Sequence, residues 1–134
     1  MPVHFIALPA GFGYHEHEPD KKEVQIMADR KANAIWEGTL KGGRSIVFEA
    51  KHTSSDRIMQ DAVKLHQAQH LESSSELGAV CFVIVSMGGG FYRVPWEDWK
   101  NMKAIYGHKY LNQQEIEKYK IPYRRGIIAF LDNL

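Results

Sequence analysis

The sequence predicts an α/β (α+β) fold, a central mixed β-sheet flanked by helices, and three stretches carry that expectation. Ala34–Leu40 and Ser45–Ala50 are β-rich runs around Lys41-Gly42-Gly43-Arg44, which reads as a hairpin. Asp56–Glu72 has neither Gly nor Pro and repeats apolar residues at helical spacing. Ala79–Ser86 is a nearly continuous apolar run of strand length, as in a strand buried on both faces.

The other elements follow in chain order. Val3–Leu8 is short and apolar, closed by Pro9 and Gly11, and is expected to be a strand. Phe12–Lys22 mixes Gly, His, Pro and charge and reads as a loop, within a short projecting loop or arm around residues 9–31. Glu23–Met27 alternates and reads as a strand. In the helix of Asp56–Glu72, Ile58, Ala62, Leu65 and Gln69 form one stripe, with Met59, Val63 and His70 beside it. Ser55 or Asp56 caps its start and Ser73–Ser75 ends it. Gly88-Gly89-Gly90 lacks the Gly-Lys-Ser/Thr ending of a phosphate loop and reads as a turn into a strand at Phe91–Val94. Pro95 opens a helix, Trp96–Tyr106, in which Trp96 and Trp99 are core or dimer contacts. Asn112 caps a short helix reaching Tyr119, and Ile127–Leu131 is a final strand. The chain of 134 residues is expected to form one domain over residues 1–134.

Composition narrows the function classes. No apolar stretch reaches the ~18 residues that a membrane-spanning helix needs. Met1 is not followed by a basic and then an apolar region, so no secretory signal is expected. Cys81 is the only cysteine, which excludes an internal disulfide, and its apolar surroundings suggest a buried thiol. Together these point to a reducing, cytoplasmic compartment. A net charge of +1 does not announce a nucleic-acid partner, but its distribution is uneven. Trp99–Arg125 holds seven Lys/Arg against two acids, with Trp99, Tyr106, Tyr110, Tyr119 and Tyr123 interleaved. Such a segment fits phosphate-backbone binding, with a solvated charged face as the plainer reading. Lys41, Arg44, Arg57, Lys100, Lys103, Arg124 and Arg125 are the candidate DNA contacts.

The chemistry centres on Val47-Phe48-Glu49-Ala50-Lys51. Alternation puts Glu49 and Lys51 on one strand face, expected to be exposed, and Phe48 and Ala50 on the other, expected to enter the core. An acid and an amine so spaced usually form a simple surface pair. Here the preceding hairpin strand carries Glu37 and the following helix carries Gln67. Phosphodiester hydrolysis assisted by Mg²⁺ (or Mn²⁺) needs carboxylates for the metal and a cation near the phosphate or nucleophile. Glu49, Glu37 and the Ala50 carbonyl suit the first need, and Lys51 the second. Two rival metal patterns are weaker. His15-Glu16-His17-Glu18 fits a transition metal only loosely, and His66 and His70, at helical i,i+4 spacing, lack a third ligand for zinc. Packing and a polar contact near the site are the expected roles of that His pair.

Ile46-Val47-Phe48-Glu49-Ala50-Lys51-His52-Thr53 resembles the FEAKET motif of the RecU-type Holliday junction resolvases, in the PD-(D/E)XK nuclease superfamily. Trp36–Gly42 is similar to the hairpin strand of that family, His66-Gln67 to the His-Gln of its next helix, and Gly78–Ser86 to its following strand. The ordered match covers roughly residues 34–99 well and the two ends loosely. The resemblance implies a restriction-endonuclease-like core, a homodimer, dependence on Mg²⁺ and cleavage of branched DNA. It makes Glu49 the second acidic metal ligand, Lys51 the catalytic lysine and Gln67 a supporting residue, and it sets Pro9–Lys31 where the family carries a longer junction-engaging arm.

Two departures accompany the resemblance. The family's first metal-binding Asp aligns with Ile35, which cannot bind a cation, so Glu37 on the same face, or Asp29, is the expected substitute. The family also carries an N-terminal helix before its first strand, whereas Val3–Leu8 is expected to be that strand, so either this branch does without the helix or the helix lies outside this sequence. The leading expectation is a structure-selective endonuclease for branched DNA. The alternatives are a DNA-binding module with a degraded site and a related nuclease for flaps or ordinary duplex.

Overall fold

The structure is a computed structural model that describes residues 25–28, 36–40, 42–124 and 127–128, with side chains described for 36–40 and 42–122. Val3–Leu8, most of the arm around 9–31, the His15–Glu18 cluster, Asp29, Ile35, Lys41 and Arg125 lie outside the described residues.

In chain order the elements are β1 (Gln25–Ala28), β2 (Trp36–Thr39), β3 (Ser45–His52), β4 (Arg57–Met59), a 3₁₀ turn, α1 (Leu65–Glu76), β5 (Val80–Met87), β6 (Gly90–Pro95), α2 (Trp96–Lys100), α3 (Met102–Tyr106), β7 (Tyr110–Asn112), α4 (Gln113–Ile116), a second 3₁₀ turn, β8 (Lys120–Ile121), β9 (Tyr123–Arg124) and β10 (Ile127–Ile128). The main sheet has the order β1-β2-β3-β5-β6-β8. Its β3–β5 pairing is parallel and its other pairings are antiparallel, so it is mixed as the sequence predicts. A parallel pair needs a crossover, and β4 and α1 supply it. The hairpin β2–β3 turns at Gly42 and Gly43, both with positive φ, which Gly adopts without a Cβ penalty.

Helices and a small ribbon cover one sheet face. Val47, Val83, Val85, Tyr92 and Val94 of that face pack with Leu71, Trp96, Trp99, Met102, Leu111 and Ile116. On the opposite face Trp36, Phe48 and Phe82 stack across three strands, with ring centroids 6.1 and 5.0 Å apart. Both faces of β3 are therefore buried, and β5 is buried from Phe82 to Met87, as its continuous apolar pattern implies.

Four expectations are corrected. The helix does not begin at Asp56. Arg57–Met59 instead pairs antiparallel with Tyr110–Asn112, and α1 starts at Leu65 and continues through Ser73–Ser75 to Glu76. Its buried positions are Gln67 and Leu71, while Leu65 is 75% exposed, so the expected stripe through Leu65 and Gln69 faces outward. Pairing with a strand some fifty residues downstream overrides local propensity here. Second, Trp96–Tyr106 is two helices. Asn101 separates them, and its side-chain amide bonds back to the Glu97 carbonyl at 2.9 Å, in competition with the backbone pattern. Third, the Cys81 thiol is half-buried. Fourth, Glu49 lies on the helix-covered core face, not an exposed one, while Phe48 and Ala50 are buried on the opposite face. Trp96 and Trp99 are core residues, and Asn112 caps α4 by accepting the Glu115 N–H at 2.8 Å.

Candidate active site: a buried carboxylate on the first parallel strand

Glu49 stands near the C-terminal end of β3, opposite Val83 of β5. It is only 2% exposed, beneath the helix-covered face, because the strand that carries it is sandwiched on both sides. Two partners converge on one of its oxygens. The Lys51 Nζ is 3.3 Å from Glu49 Oε1, as expected for residues two apart on a strand, and Gln67 Nε2 donates to the same oxygen at 3.2 Å. The other oxygen, Oε2, is buried without a hydrogen-bond partner among the described residues. Burial pushes the Glu49 pKa up from 4.5 to about 7, and the nearby Lys51 ammonium only partly offsets that rise.

Gln67 is fully buried, and its two ends serve different elements. Its Oε1 accepts the backbone N–H of Lys64 at 2.9 Å, one of the unpaired donors at the start of α1, while its amide nitrogen reaches Glu49. One side chain thus locks the helix terminus to the carboxylate. Glu37 faces Val47 across the β2–β3 ladder, so it is diagonal to Glu49 on the same sheet face. Its Oε1 is held by His70 Nε2 at 2.9 Å. Glu37 is also half-exposed, and among the described residues no three His, Cys, Asp or Glu side chains cluster at metal-binding separation. At the end of β3, His52 Nδ1 lies 3.1 Å from Ser86 Oγ.

The residue set accommodates a divalent cation in a limited way. A buried carboxylate oxygen with no donor, on a group whose charge burial disfavours, is the environment a cation relieves. Mg²⁺ commonly uses one or two carboxylates, water and substrate phosphate rather than an all-protein cage.

The candidate DNA contacts fall in different places. Arg44 is exposed at the hairpin, where its Nε donates to the Gly78 carbonyl at 3.3 Å. Beside it an open groove of about 630 Å³ runs between the hairpin and the end of α1, with Glu37, Thr39, Arg44, Ser45 and Ser74 in its walls. Glu49, Lys51 and Gln67 are not among its lining residues. Lys100 is tied between Glu72, at 2.9 Å, and Glu97, at 3.2 Å, and Glu72 also accepts the Trp96 indole N–H at 2.9 Å. That network holds α2 against α1 and leaves Lys100 little free charge. Lys103 is exposed on α3, Arg57 is half-exposed on β4, and Arg124 lies on β9.

Sequence reasoning brought Glu49, Lys51 and Gln67 together correctly as neighbours. It expected of His66 and His70 only packing and a polar contact near the site, and did not foresee Glu37 as the partner of His70, three residues after Gln67 on a helix packed over β3 and β5. It also missed the aromatic stack that holds Arg57, for which no local pattern exists.

A hairpin leading into a parallel strand–helix–strand crossover, with an acid and a lysine separated by a single residue on the first parallel strand, is the core layout of the PD-(D/E)XK nucleases. The chain belongs to the RecU family: residues 14–134 match the family model described as Recombination protein U. It is 34% identical over 79 residues to the Holliday junction resolvase RecU of Bacillus pumilus (strain SAFR-032). The match takes in 55% of this chain and 38% of that protein's length.

Proposed function

We propose that this chain is a metal-dependent, structure-selective DNA endonuclease that cuts branched DNA, with Holliday junctions as the preferred substrate. The carrying observation is the Glu49–Lys51–Gln67 cluster on the first parallel strand and crossover helix of a RecU-family chain. Glu49 Oε2, the Ala50 carbonyl and, across the sheet, Glu37 are the groups proposed to hold Mg²⁺ or Mn²⁺. A bound divalent ion supplies Lewis acidity to the scissile phosphate and a nucleophilic hydroxide from water.

The protein's own share is positional and electrostatic. Lys51 and Gln67 both engage Oε1, which aims Oε2 away from them. Lys51 also offers its ammonium to the charge that builds on the phosphoryl oxygens. Exposed Arg44, Arg57 and Lys103, with Arg124 and Arg125, are proposed to track the DNA backbone. Resolving a junction needs two strands cut at two symmetry-related positions, so we propose a homodimer acting on DNA in the cytoplasm, each subunit a single nuclease domain.

The test is isothermal titration with Mg²⁺ or Mn²⁺, followed by cleavage of a four-way junction, a flap and a linear duplex. Stoichiometric metal uptake that disappears in Glu49→Ala, with preferential junction cleavage, is the expected result. Tight junction binding without cleavage in either metal would instead establish the binding-module reading, which the His70 hold on Glu37 favours. Equal cleavage of all three DNAs would remove structure selectivity.

A further inference from the structure

The ribbon β4–β7 presents a three-tier stack that the active-site chemistry does not use. Its inward residues, Ile58 and Leu111, are buried in the core, so Arg57, Met59, Tyr110 and Asn112 are its outward set. Arg57 faces Asn112 in the ladder and is diagonal to Tyr110. The Arg57 guanidinium carbon lies 4.4 Å from the Tyr110 ring centroid. The His108 ring stacks on Tyr110 at 3.7 Å with an interplanar angle of 11°. A parallel ring that close fills one face of the tyrosine, so Arg57 occupies the other. The order is therefore His108, Tyr110, Arg57. His108 Nε2 is anchored by Glu115 Oε2 at 3.0 Å, and Glu115 Oε1 accepts the Asn112 N–H at 3.0 Å, which ties the base of the stack to the start of α4.

The outermost tier is the half-exposed cation. Among the described residues its only carboxylate neighbour is Asp56, 3.7 Å from Nε and itself highly exposed, and the terminal amino groups of the guanidinium donate no hydrogen bond to any of them. Arg57 follows Lys51 by six residues, so it lies within ~20 Å of the catalytic strand. An arginine normally sacrifices rotamer freedom when it binds. Here that freedom is already restricted by the aromatic face, and the donor fork is left outward.

We infer that Tyr110, braced by His108 and Glu115, is a positioning residue that pre-orients Arg57 to grip a DNA backbone phosphate beside the cleavage site. The inference rests on the nuclease reading above. A fork with free terminal N–H groups matches a phosphodiester's two oxygens, whereas a lone ammonium would not need an aromatic backing.

The test is four-way-junction binding by the full chain across a salt series, with Ca²⁺ replacing Mg²⁺ to hold cleavage off. Arg57→Ala should weaken binding roughly tenfold and reduce the salt slope by about one. Tyr110→Leu should weaken it about 2–5-fold, as expected for loss of a surface cation–π contact, with the slope unchanged. Tyr110→Phe keeps the ring and should bind like the parent. Arg57→Ala combined with Tyr110→Leu should bind no worse than Arg57→Ala alone. An unchanged slope in Arg57→Ala, or an undiminished Tyr110→Leu penalty in the Arg57→Ala background, overturns the inference while leaving the nuclease reading intact. Loss of binding to abasic DNA with the same slope would assign the guanidinium to a base and overturn the phosphate. A parent chain that neither binds nor cuts DNA removes the nuclease reading and this inference with it.

Discussion

Glu49 sits in an environment unlike that of an ordinary surface carboxylate. Its proton affinity in the folded chain is raised from 4.5 to about 7, chiefly by burial. The sign follows directly. The folded state binds this proton more tightly than the unfolded state, so the Glu49 contribution to stability is full below about pH 4.5 and is lost as pH climbs toward 7. Metal-free protein should therefore show a melting temperature that declines over that window, and Glu49→Gln should flatten the decline in a calorimetric pH series. Divalent metal competes with the same proton, so titration calorimetry in buffers of different ionisation enthalpy should reveal proton release below pH 7. Lys51→Ala should lower cleavage by roughly 10²–10³-fold with little change in DNA affinity, the mark of a group used mainly in the transition state. At this scale the acid, the lysine and the glutamine were legible because a strand's two-residue period and a recognisable motif coincide. The burial of Glu49 was not, because alternation cannot say which of two faces a helix will cover.

Among the elements, α1 brings Gln67 and His70 to the carboxylates of the sheet. Leu71 is fully buried on its inner face, and Leu71→Ala should cost about 2–5 kcal/mol in denaturant melts. Gln67→Leu removes both a helix-terminus acceptor and a carboxylate donor, and should cost ~1–3 kcal/mol while weakening metal binding. A Gln67 variant that lost stability but kept parental metal affinity would refute the clamp. The strands of the hairpin and the run Val80–Met87 were readable because their apolar patterns are local. The start of α1 and the ribbon β4–β7 were not, since Arg57–Met59 becomes a strand only by pairing with Tyr110–Asn112. The same non-local pairing creates the Tyr110–Arg57 stack, which explains why no motif announces it.

For the whole molecule, charge counting from sequence misleads in an instructive way. The basic run from Trp99 onward contributes less free charge than its composition suggests, because Lys100 is neutralised by Glu72 and Glu97, two acids that lie outside the run. Lys100→Ala is therefore expected to loosen α2 from α1 more than it weakens DNA binding, which a comparison of melting temperature with the salt slope of junction affinity would reveal. The two-site argument for junction cutting likewise makes sedimentation velocity decisive, since a chain that is monomeric both alone and on DNA would not suit paired incision.

Glu49 is enclosed by parts of the chain that come after it, Gln67 on α1 and Val83 on β5. During synthesis the acid therefore emerges before its cover, and is sealed only once α1 and β5 have also left the ribosome. On the nuclease reading, stalled nascent chains ending at Gly78 should leave a DNA junction intact, and chains long enough to free β5 should be the first to cut it.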